Sequence, residues 1–213
     1  MSELISQDGW TVRLDGTTNP KTMLLMLHGW GGDQDSMWIF ARRLPKSTLV
    51  VSPRAPYAVP TGGYSWMPIA AANSDGPTLE HLRSVIRELV GVVDATSTRF
   101  GLPARRFTLM GFSQGAALAA TLMFVHPERV EKCVILAGFV PKGLEKWGSG
   151  LPLSGKRVLV VHGRDDRLVD IGRARHSSEL FEQAGAIVSF CEDDVGHRVS
   201  AACFKSLEEF LRA

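Results

Sequence analysis

Short apolar runs recur along the chain and alternate with longer segments in which apolar residues return every three or four positions. The short runs are rich in β-branched and aliphatic residues, which is typical of strands. The run Arg157–Gly163 is apolar without alternation, as expected when both faces of a parallel sheet are covered. We predict strands at Trp10–Leu14, Thr22–Leu27, Thr48–Ser52, Arg106–Met110, Val130–Ala137, Arg157–His162 and Ala186–Cys191.

The longer segments have the periodicity of helices. Apolar residues within Thr78–Phe100 form one stripe at helical spacing, and Gly101 followed by Pro103 ends the segment. The alanine-rich segment Ser113–Val125 is predicted as a buried helix. Two further helices are predicted at Ile171–Ala184 and Ala201–Arg212. The repeated strand–helix–strand order implies right-handed crossovers and a three-layer α/β sandwich, a mostly parallel twisted sheet with helices on both faces.

The composition is that of an ordinary globular protein. The chain has 213 residues, of which 45% are hydrophobic and 22% charged, and its formal net charge is +2. This length favours a single domain over residues 1–213, with room for a sizeable core. No block of lysine or arginine is longer than a pair, so nucleic acid is not an expected partner. The apolar runs are too short to cross a bilayer, so no stable membrane insertion is expected.

Features that report on the compartment favour the cytoplasm. The first ten residues carry two acidic side chains and no apolar core, so a secretory signal is not expected. The three cysteines, Cys133, Cys191 and Cys203, lack metal-ligand spacing. Cys133 and Cys191 lie in apolar, strand-like runs and are predicted as buried free thiols. A reducing cytoplasm fits these features best.

A lone serine stands in the stretch TLMGFSQGAALA, Thr108–Ala119, between a predicted strand and a predicted helix. Gly111 and Gly115 lie two positions on either side of Ser113, which leaves room for a sharp, strained turn. Such a turn lifts the serine oxygen above the carboxyl end of a strand, where α/β sheets place their sites. The N-terminus of the following helix favours negative charge that develops there. An idle serine in an ordinary turn is the alternative, and the strand-to-helix context favours a nucleophile.

A nucleophilic serine needs a base that removes its proton and a carboxylate that orients the base. For this type of turn the chain order is serine, then acid, then histidine. His197 lies in a glycine-containing loop after the last predicted strand and before a helix. His28 and His162 end predicted strands and are expected to be structural imidazoles that hydrogen-bond loops. His197 is therefore the predicted base, with an ordinary loop histidine as the alternative.

The orienting carboxylate should lie in the loop after the penultimate strand. That loop offers Asp165, Asp166 and Asp170. Asp170 is predicted to cap the next helix. The acidic pair at 193–194 is too close to His197 along the chain to lie beneath its ring. Spacing alone leaves the choice between Asp165 and Asp166 open.

A tetrahedral intermediate also needs two hydrogen-bond donors aimed at its oxygen. One is expected from the backbone N–H of Gln114, next after the serine, and the other from a loop after an early strand. The loop His28–Gly32 holds three glycines that let its backbone N–H groups turn toward a ligand. Trp30 N–H is the candidate donor, and a glycine-rich turn shaped by packing alone is the alternative.

The substrate groove is expected to be open and shallow. Only the connection that contains residues 141–156 separates the predicted strands Val130–Ala137 and Arg157–His162, and it is too short to form a helical cap over the site. Tyr64, Trp66 and Met67, with Trp30, are candidates to line an apolar acyl groove. The alternative for Trp66 and Met67 is a place in the core beneath their loop.

Four motifs, LHGWGG, GFSQGAALA, HGRDDRLV and VGH, together resemble the small α/β-hydrolase carboxylesterases, a family grouped with lysophospholipases and acyl-protein thioesterases. The resemblance runs from about Lys21 to the C-terminus. It implies an α/β-hydrolase fold without a cap domain. It also implies hydrolysis of acyl esters through an acyl-enzyme intermediate.

The resemblance assigns roles to five residues of this chain. It implies Ser113 as nucleophile and His197 as base. The family's HGxxDxxV pattern falls on HGRDDRLV and implies Asp166 as the acid. It further implies that the backbones of Trp30 and Gln114 supply the oxyanion donors. Family members often have leucine where this chain has Trp30, whose indole would narrow the pocket.

The residues and the resemblance together predict a serine carboxylesterase with a broad, short-to-medium acyl preference and no need for a metal or cofactor. A thioesterase or lysophospholipase would use the same machinery. A dienelactone hydrolase would carry cysteine where this chain has Ser113. A non-catalytic binding module on the same fold would usually have lost members of the triad. The expected partner is a small-molecule acyl ester, and the sequence leaves a homodimer open.

Overall fold

The computed structural model describes residues 2–7, 9–42, 44–69, 77–102, 106–144 and 150–213. The strands in these ranges are β1 (Ser2–Gln7), β2 (Trp10–Asp15), β3 (Thr22–Leu27), β4 (Thr48–Pro53), β5 (Tyr57–Ala58), β6 (Tyr64–Ser65), β7 (Phe107–Phe112), β8 (Val130–Leu136), β9 (Arg157–Gly163) and β10 (Ile187–Asp193). The α-helices are α1 (Leu79–Arg99), α2 (Gln114–Val125), α3 (Ile171–Gln183) and α4 (Ala201–Arg212), and a 3₁₀ turn spans Trp38–Ala41.

Eight of the described strands form one sheet, in the order β1-β2-β4-β3-β7-β8-β9-β10. The pairs β1–β2 and β2–β4 are antiparallel, and every other neighbouring pair is parallel. The chain runs outward from β3 to β4 and later enters β7 on the other side of β3. The strand order therefore reverses between β3 and β7. In α/β sheets ligands bind outside the carboxyl ends of the strands at such a switch point.

Helices cover both faces of the sheet. The apolar faces of α1, α2 and α3 join one core cluster, in which Leu89, Leu118 and Phe181 are buried. The buried side chains of α4 join a second cluster on the opposite face, together with Met26 of β3 and Val161 of β9. None of the described helices is both long enough and apolar enough to cross a membrane.

The predicted layered α/β architecture is confirmed. Each of the predicted strands and helices is present, and their ends differ from the predicted ones by at most two residues. Gly101 follows the end of α1 with a φ of 62°, a left-handed conformation that suits glycine. Pro103, predicted to end that helix with Gly101, lies outside the described residues, as do residues 145–149 of the connection between β8 and β9.

The strands that the apolar pattern missed are short or lie at the sheet edge. β1 pairs with β2 along its whole length, but its side chains alternate between exposed and half-buried and form no apolar run. β5 and β6 have two residues each and form a separate antiparallel pair. Pairing with a neighbour, more than hydrophobicity, makes these segments strands.

One cysteine prediction is wrong. Cys191 is not a free thiol, because it forms a disulfide with Cys203 across a Cα–Cα distance of 5.8 Å. The bond joins β10 to α4, because the Cys191 side chain lies on the face of the sheet that α4 covers. Cys133 is buried and free as predicted, and burial raises the pKa of its thiol. The argument from free thiols for a reducing compartment therefore holds for Cys133 alone.

Candidate active site

Ser113 occupies a strained turn between β7 and α2. Its φ of 53° and ψ of −115° lie in a region that residues other than glycine rarely adopt. The turn is held by three backbone hydrogen bonds. Ser113 N–H donates to the Leu136 carbonyl at 2.9 Å, and the Ser113 carbonyl accepts from Ala116 and Ala117 N–H at 3.0 and 3.1 Å. These bonds satisfy the strained backbone and leave the hydroxyl at the carboxyl end of the sheet.

The glycines around this turn are required by close backbone approach. A Cβ at Gly111 would lie 2.2 Å from the Gly115 carbonyl oxygen, and one at Gly115 would lie 2.1 Å from that of Leu27. Neither gap admits a methyl group. The prediction that these two glycines make room for the turn is confirmed. Gly115 also brings α2 directly against the end of β3.

The loop after β3 lies against Ser113. β3 and β7 pair in register with Leu27 opposite Gly111, so the segments that follow the two strands leave the sheet side by side. A Cβ at Gly29 would lie 3.4 Å from the Ser113 Cβ. Gly31, with a φ of 72°, donates its N–H to the Tyr64 carbonyl at 3.0 Å. The loop is thereby pinned on one side by the nucleophile turn and on the other by β6.

Two backbone N–H groups next to Ser113 are available to a substrate oxygen. Within the described ranges, neither Trp30 N–H nor Gln114 N–H donates a hydrogen bond to another protein group. Gln114 is the first residue of α2, so its N–H belongs to the positive end of the helix. The indole of Trp30 is 43% exposed at the same place. Gln114 directly follows Ser113, and Trp30 directly follows Gly29, which packs against the serine; the role of their N–H groups as oxyanion donors stays a prediction.

His28 is a structural imidazole beneath this loop, as predicted. Its ring is fully buried, with Nδ1 2.7 Å from the Gly29 carbonyl and Nε2 accepting from Ala55 N–H at 3.1 Å. A neutral ring protonated on Nδ1 satisfies both contacts. Burial lowers the pKa of His28, although the Gly29 carbonyl and the Asp33 carboxylate oppose the shift. The ring therefore stays neutral while it shapes the loop.

Trp66 and Met67 do not line a groove, and the prediction that they contact substrate is wrong. Their exposed fractions are 0% and 3%. The Trp66 indole N–H donates to the His28 carbonyl at 2.6 Å, and its backbone N–H donates to the Gln114 side-chain oxygen at 2.9 Å. Trp66 braces the serine turn from inside the core, and Met67 is buried beside it, where its backbone bonds the Ser65 hydroxyl. Sequence reasoning missed this because the partners lie 38 and 48 residues away along the chain.

Tyr64 contributes mainly through its backbone. It forms an antiparallel bridge with Gly32 in the loop after β3. Its half-buried ring lies beneath the Arg54 guanidinium, whose carbon is 4.5 Å from the ring centroid. No contact places this ring at Ser113 among the described residues, so a role for Tyr64 in substrate binding stays a prediction.

On the other side of the site, Asp166 and His197 form a short hydrogen bond. Asp166 Oδ2 lies 2.6 Å from His197 Nδ1. Asp166 Oδ1 accepts from Leu168 N–H at 2.9 Å and from Val169 N–H at 3.0 Å. Burial raises the pKa of Asp166, but the Val169, His197 and Leu168 hydrogen bonds outweigh it and leave that pKa below its ordinary value. The side chain is therefore a buried carboxylate that orients the imidazole.

His162 supports the acid loop from below. Its Nε2 lies 2.8 Å from the Val169 carbonyl and 3.4 Å from Asp166 Oδ2, and the ring is buried. This matches the predicted role of a structural imidazole. Asp170 caps α3 by accepting from Gly172 N–H at 2.8 Å, as predicted, and Asp165 is exposed. Spacing left open whether Asp165 or Asp166 orients His197, and the hydrogen bond to His197 Nδ1 favours Asp166.

The loop that carries His197 is clamped to the acid loop. A Cβ at Gly163 would lie 2.1 Å from the Val195 carbonyl oxygen, which accepts from Asp165 N–H at 3.1 Å. Arg164 bridges Glu192 and Asp194 at 3.0 and 2.5 Å. The two loops are therefore held against each other, which keeps the imidazole against the carboxylate.

The imidazole of His197 packs beside the nucleophile turn. Its centroid lies 5.0 Å from that of Phe112, the residue directly before Ser113, at an interplanar angle of 58°. Within the described part of the chain no hydrogen bond joins the Ser113 hydroxyl to His197. Contacts of this kind commonly tighten only in the complex with substrate. The structure thus brings acid and base together directly, and places the serine next to them.

These parts have the composition of an acyl-transfer site. A strained serine, two unoccupied N–H donors and a carboxylate-bound imidazole supply a nucleophile, an anion-binding pocket and a base. Phe112 and Gly163 were not singled out from the sequence as packing contacts. The only sequence signal for them was their place in the motifs: Phe112 directly precedes Ser113 in GFSQGAALA, and Gly163 follows His162 in HGRDDRLV.

The chain resembles a family of esterases over most of its length. Residues 14–213 match the family described as Phospholipase/Carboxylesterase. Acyl-protein thioesterase 1 of Debaryomyces hansenii is 28% identical over 215 residues, covering 87% of this chain and 85% of that relative. Lysophospholipase-like protein 1 of Mus musculus is 27% identical over 208 residues, covering 88% and 84%.

Solved structures share the fold. A carboxylesterase from Mesorhizobium loti superposes with a TM-score of 0.83 at 22% identity, over 99% of this chain and 98% of that one. The Bacillus cereus carboxylesterase superposes with a TM-score of 0.80 at 21% identity, over 96% and 94%. These likenesses identify the α/β-hydrolase fold.

Proposed function

The chain belongs to the phospholipase/carboxylesterase family of α/β-hydrolases, and from that premise we propose that it is a serine carboxylesterase acting on short-to-medium acyl esters. The family supplies the class, serine hydrolases that cleave ester bonds. The observation that carries the specific proposal is the 2.6 Å hydrogen bond between Asp166 and His197 beside the strained Ser113 turn. Each residue has a defined task in the reaction.

The first half of the reaction transfers the acyl group to the enzyme. Ser113 Oγ attacks the ester carbonyl carbon while His197 Nε2 accepts the hydroxyl proton. Asp166 holds the imidazole with its proton on Nδ1 and stabilises the imidazolium that forms. As the tetrahedral intermediate collapses, the carbon–alkoxy bond breaks and His197 returns the proton to the leaving alcohol.

Negative charge on the intermediate falls on the carbonyl oxygen. The N–H groups of Trp30 and Gln114 are the donors proposed to bind it. Loss of one such donor typically lowers turnover by about 100- to 1000-fold. The bracing of this pocket by Trp66 and His28 fixes the donors before substrate arrives, so little reorganisation is needed during the reaction.

The second half releases the acid. Water adds to the acyl carbon of the Ser113 ester while His197 takes one of its protons, and the same oxyanion donors bind the second tetrahedral intermediate. The carbon–Ser113 oxygen bond then breaks, and His197 gives the proton back to Oγ. Every proton in this cycle moves through His197, and the residues of this chain suffice for each step.

A second candidate function is thioester or lysophospholipid hydrolysis. It is favoured by the relatives, since one is named acyl-protein thioesterase 1 and another lysophospholipase-like protein 1. The same residues would perform it. A chain-length series across oxygen esters, thioesters and lysophospholipids separates the candidates by kcat/KM, and the carboxylesterase proposal expects its maximum on oxygen esters with short-to-medium acyl chains.

The direct test compares p-nitrophenyl butyrate hydrolysis by the wild type, Ser113→Ala and Ser178→Ala. Ser178 is a control serine on α3 whose hydroxyl donates to the Ala174 carbonyl. We expect Ser113→Ala to lose at least about 10³-fold in kcat, and Ser178→Ala to match the wild type. Equal turnover by wild type and Ser113→Ala would refute the assignment of Ser113. No turnover by the wild type on any ester would leave a binding module as the better description.

Two further proposals concern organisation and location. We propose that residues 1–213 form one α/β-hydrolase domain, because eight strands share one sheet. The cytoplasmic location expected from the sequence competes with an oxidising compartment, which the Cys191–Cys203 disulfide favours. Alkylation of thiols at the moment of cell lysis, followed by mass spectrometry, decides between them. Three alkylated cysteines support the cytoplasm, and one supports an oxidising compartment.

A further inference from the structure

Arg173 occupies an unusual place in the first turn of α3. Its guanidinium carbon lies 3.4 Å from the centroid of the Phe139 ring, a face-on cation–π contact. Phe139 is 6% exposed and packs against Ala117 and Val169 in a small cluster of its own. A guanidinium that stacks by its face keeps its N–H groups at the edge, pointing away from the ring.

The Phe139 cluster joins the two sides of the candidate site. A Cβ at Gly138 would lie 3.2 Å from the Ser113 carbonyl oxygen, so the chain reaches Phe139 directly from the nucleophile turn. Ala117 donates its N–H to the same carbonyl. Val169 donates its N–H to the Asp166 carboxylate. The Phe139 ring therefore lies between the nucleophile turn and the acid loop, and Arg173 is one side chain removed from both.

The Arg173 guanidinium is not neutralised by an ion pair among the residues that the structure describes. Within the described ranges no ion pair or side-chain hydrogen bond is formed by it. Asp170 lies close enough to attract it, but its Oδ1 already accepts from Gly172 N–H. Burial lowers the pKa of Arg173, and the Asp170 carboxylate opposes this shift. Arg173 is nonetheless an exposed residue, so the N–H groups at the guanidinium edge face water and are free to exchange it for an anion.

Arg175 shows what a paired arginine looks like on the same helix. It lies two positions further along α3 and binds Glu192 through contacts of 2.9 to 3.3 Å. Arg164 likewise bridges Glu192 and Asp194. The acidic side chains of this region are thus already shared between two other arginines. The Arg173 donors remain for a group outside the protein.

Exposed apolar side chains lie on the loops that follow β3 and β9. Leu168, whose backbone N–H donates to Asp166 Oδ1, is 75% exposed. Trp30, on the loop after β3, is 43% exposed. A ligand that rests on these side chains and reaches Arg173 would combine an apolar chain with one negative charge. A single guanidinium carries one charge and pairs with one carboxylate through two parallel hydrogen bonds.

We propose that Arg173 is a specificity residue that binds a carboxylate on the substrate, so that the preferred substrates are esters bearing a carboxylate group. This inference rests on the proposed carboxylesterase function and narrows its substrate class. The guanidinium holds the carboxylate while the ester carbonyl enters the pocket between Trp30 and Gln114. Arg173 takes no part in bond making, and neutral esters are hydrolysed without it.

The test compares matched ester pairs that differ by one carboxylate. One pair is p-nitrophenyl valerate and mono-p-nitrophenyl glutarate, with the charge on the acyl part. The other is phenyl acetate and 4-carboxyphenyl acetate, with the charge on the alcohol part. Each pair is measured with wild type, Arg173→Met, Arg173→Lys and the control Arg175→Met. Methionine keeps an unbranched chain against Phe139, and thermal melting checks that every variant is folded.

We expect Arg173→Met to lower kcat/KM for the charged member of at least one pair by roughly tenfold to hundredfold, mainly through KM. The neutral member should change by less than about twofold. Arg173→Lys should retain part of the preference, because it keeps the charge and loses the paired hydrogen bonds. Glutarate should inhibit neutral ester hydrolysis competitively in the wild type and more weakly in Arg173→Met.

Several results would overturn the assignment. Equal losses on charged and neutral members would make Arg173 a structural residue. The same loss in Arg175→Met would show that general surface charge is responsible. Unchanged ratios in both pairs would exclude a carboxylate at Arg173. Failure of the wild type to hydrolyse either neutral ester is a different outcome, since it removes the carboxylesterase proposal itself.

Discussion

The nucleophile side of the site is fixed by backbone packing, whereas the acid–base side is held by side-chain hydrogen bonds and ion pairs. Around Ser113, chain segments approach so closely that Gly111 and Gly115 have no room for a Cβ. Around His197, the position depends on Asp166 and on the Arg164 bridge to two acidic residues. Gly163, where the two loops meet, is the one close backbone approach we identify on the acid–base side within the described residues.

The difference has a functional reason. The proposed oxyanion donors must be in place before charge develops, and rigid backbone achieves this at no cost during the reaction. The imidazole must accept and return a proton, so its surroundings are electrostatic and adjustable. Steric changes should therefore damage the first side, and changes of charge or protonation the second.

The largest effect is expected from Gly115→Ala on the sterically fixed side. The new Cβ would lie 2.1 Å from the Leu27 carbonyl oxygen, so α2 must move away from β3. We expect a loss of about 3 kcal/mol or more in the free energy of unfolding, or no folded protein at all. Chemical denaturation measures it.

Gly91→Ala is the matched control for that substitution. Gly91 lies on α1 with nothing within 4 Å of a Cβ, so alanine should stabilise the protein by about 0.5–1 kcal/mol. Similar stabilities of the two variants would show that the close approach at Gly115 does not exist.

Substitutions on the acid–base side should reduce activity and leave the protein folded. Asp166→Asn cannot hold the proton on His197 Nδ1, so kcat should fall roughly 10³- to 10⁴-fold while the protein remains folded. Asp165→Asn makes the same change of charge on the exposed neighbour and should retain activity within about threefold. Steady-state kinetics decides it, and equal losses in the two variants would contradict the assignment of Asp166.

The Cys191–Cys203 disulfide ties the ends of the segment that carries His197. It joins residues separated by 12 positions, and closing a loop of this size stabilises a fold by about 2–3 kcal/mol. Dithiothreitol should therefore lower the melting temperature of the wild type. The double variant Cys191→Ser/Cys203→Ser should melt at the lower temperature and respond no further. A wild type indifferent to dithiothreitol would argue against the bond.

The smallest effect is expected from His28, the buried imidazole beneath the loop after β3. Burial lowers the folded-state pKa of His28, so the unfolded chain binds more protons as the pH falls below about 6.5. The stabilisation is complete above that pH and is lost as the pH falls toward the folded-state pKa. His28→Gln should flatten the slope of unfolding free energy between pH 7 and pH 5 by up to about 1.4 kcal/mol per pH unit. Parallel slopes would contradict this account.

Local patterns predicted most of the fold and part of the site. The turn around Ser113 was predictable because its glycines and its strand and helix all lie within one short stretch. Asp165 and Asp166 could not be separated by spacing, because adjacent residues share a loop and only the fold decides which one faces His197. The resemblance to a known family made the choice that spacing could not.

Long-range contacts account for what the sequence did not reveal. Trp66 is buried because it bonds to His28 and Gln114, and no local pattern distinguishes such a tryptophan from one lining a groove. Cys191 meets Cys203 because its side chain projects from β10 on the face of the sheet that α4 covers. Arg173 reads as a surface residue in the sequence, and only the fold places it over Phe139.

The central claim is that Ser113 becomes a nucleophile because His197 and Asp166 converge on it. The most direct measurement is labelling of the native protein with a fluorophosphonate, followed by peptide mass spectrometry. We predict one adduct, on Ser113, absent from Ser113→Ala and formed at least about 10³-fold more slowly in His197→Ala and Asp166→Asn. An adduct on another residue, or labelling that is equally fast without His197, would contradict it.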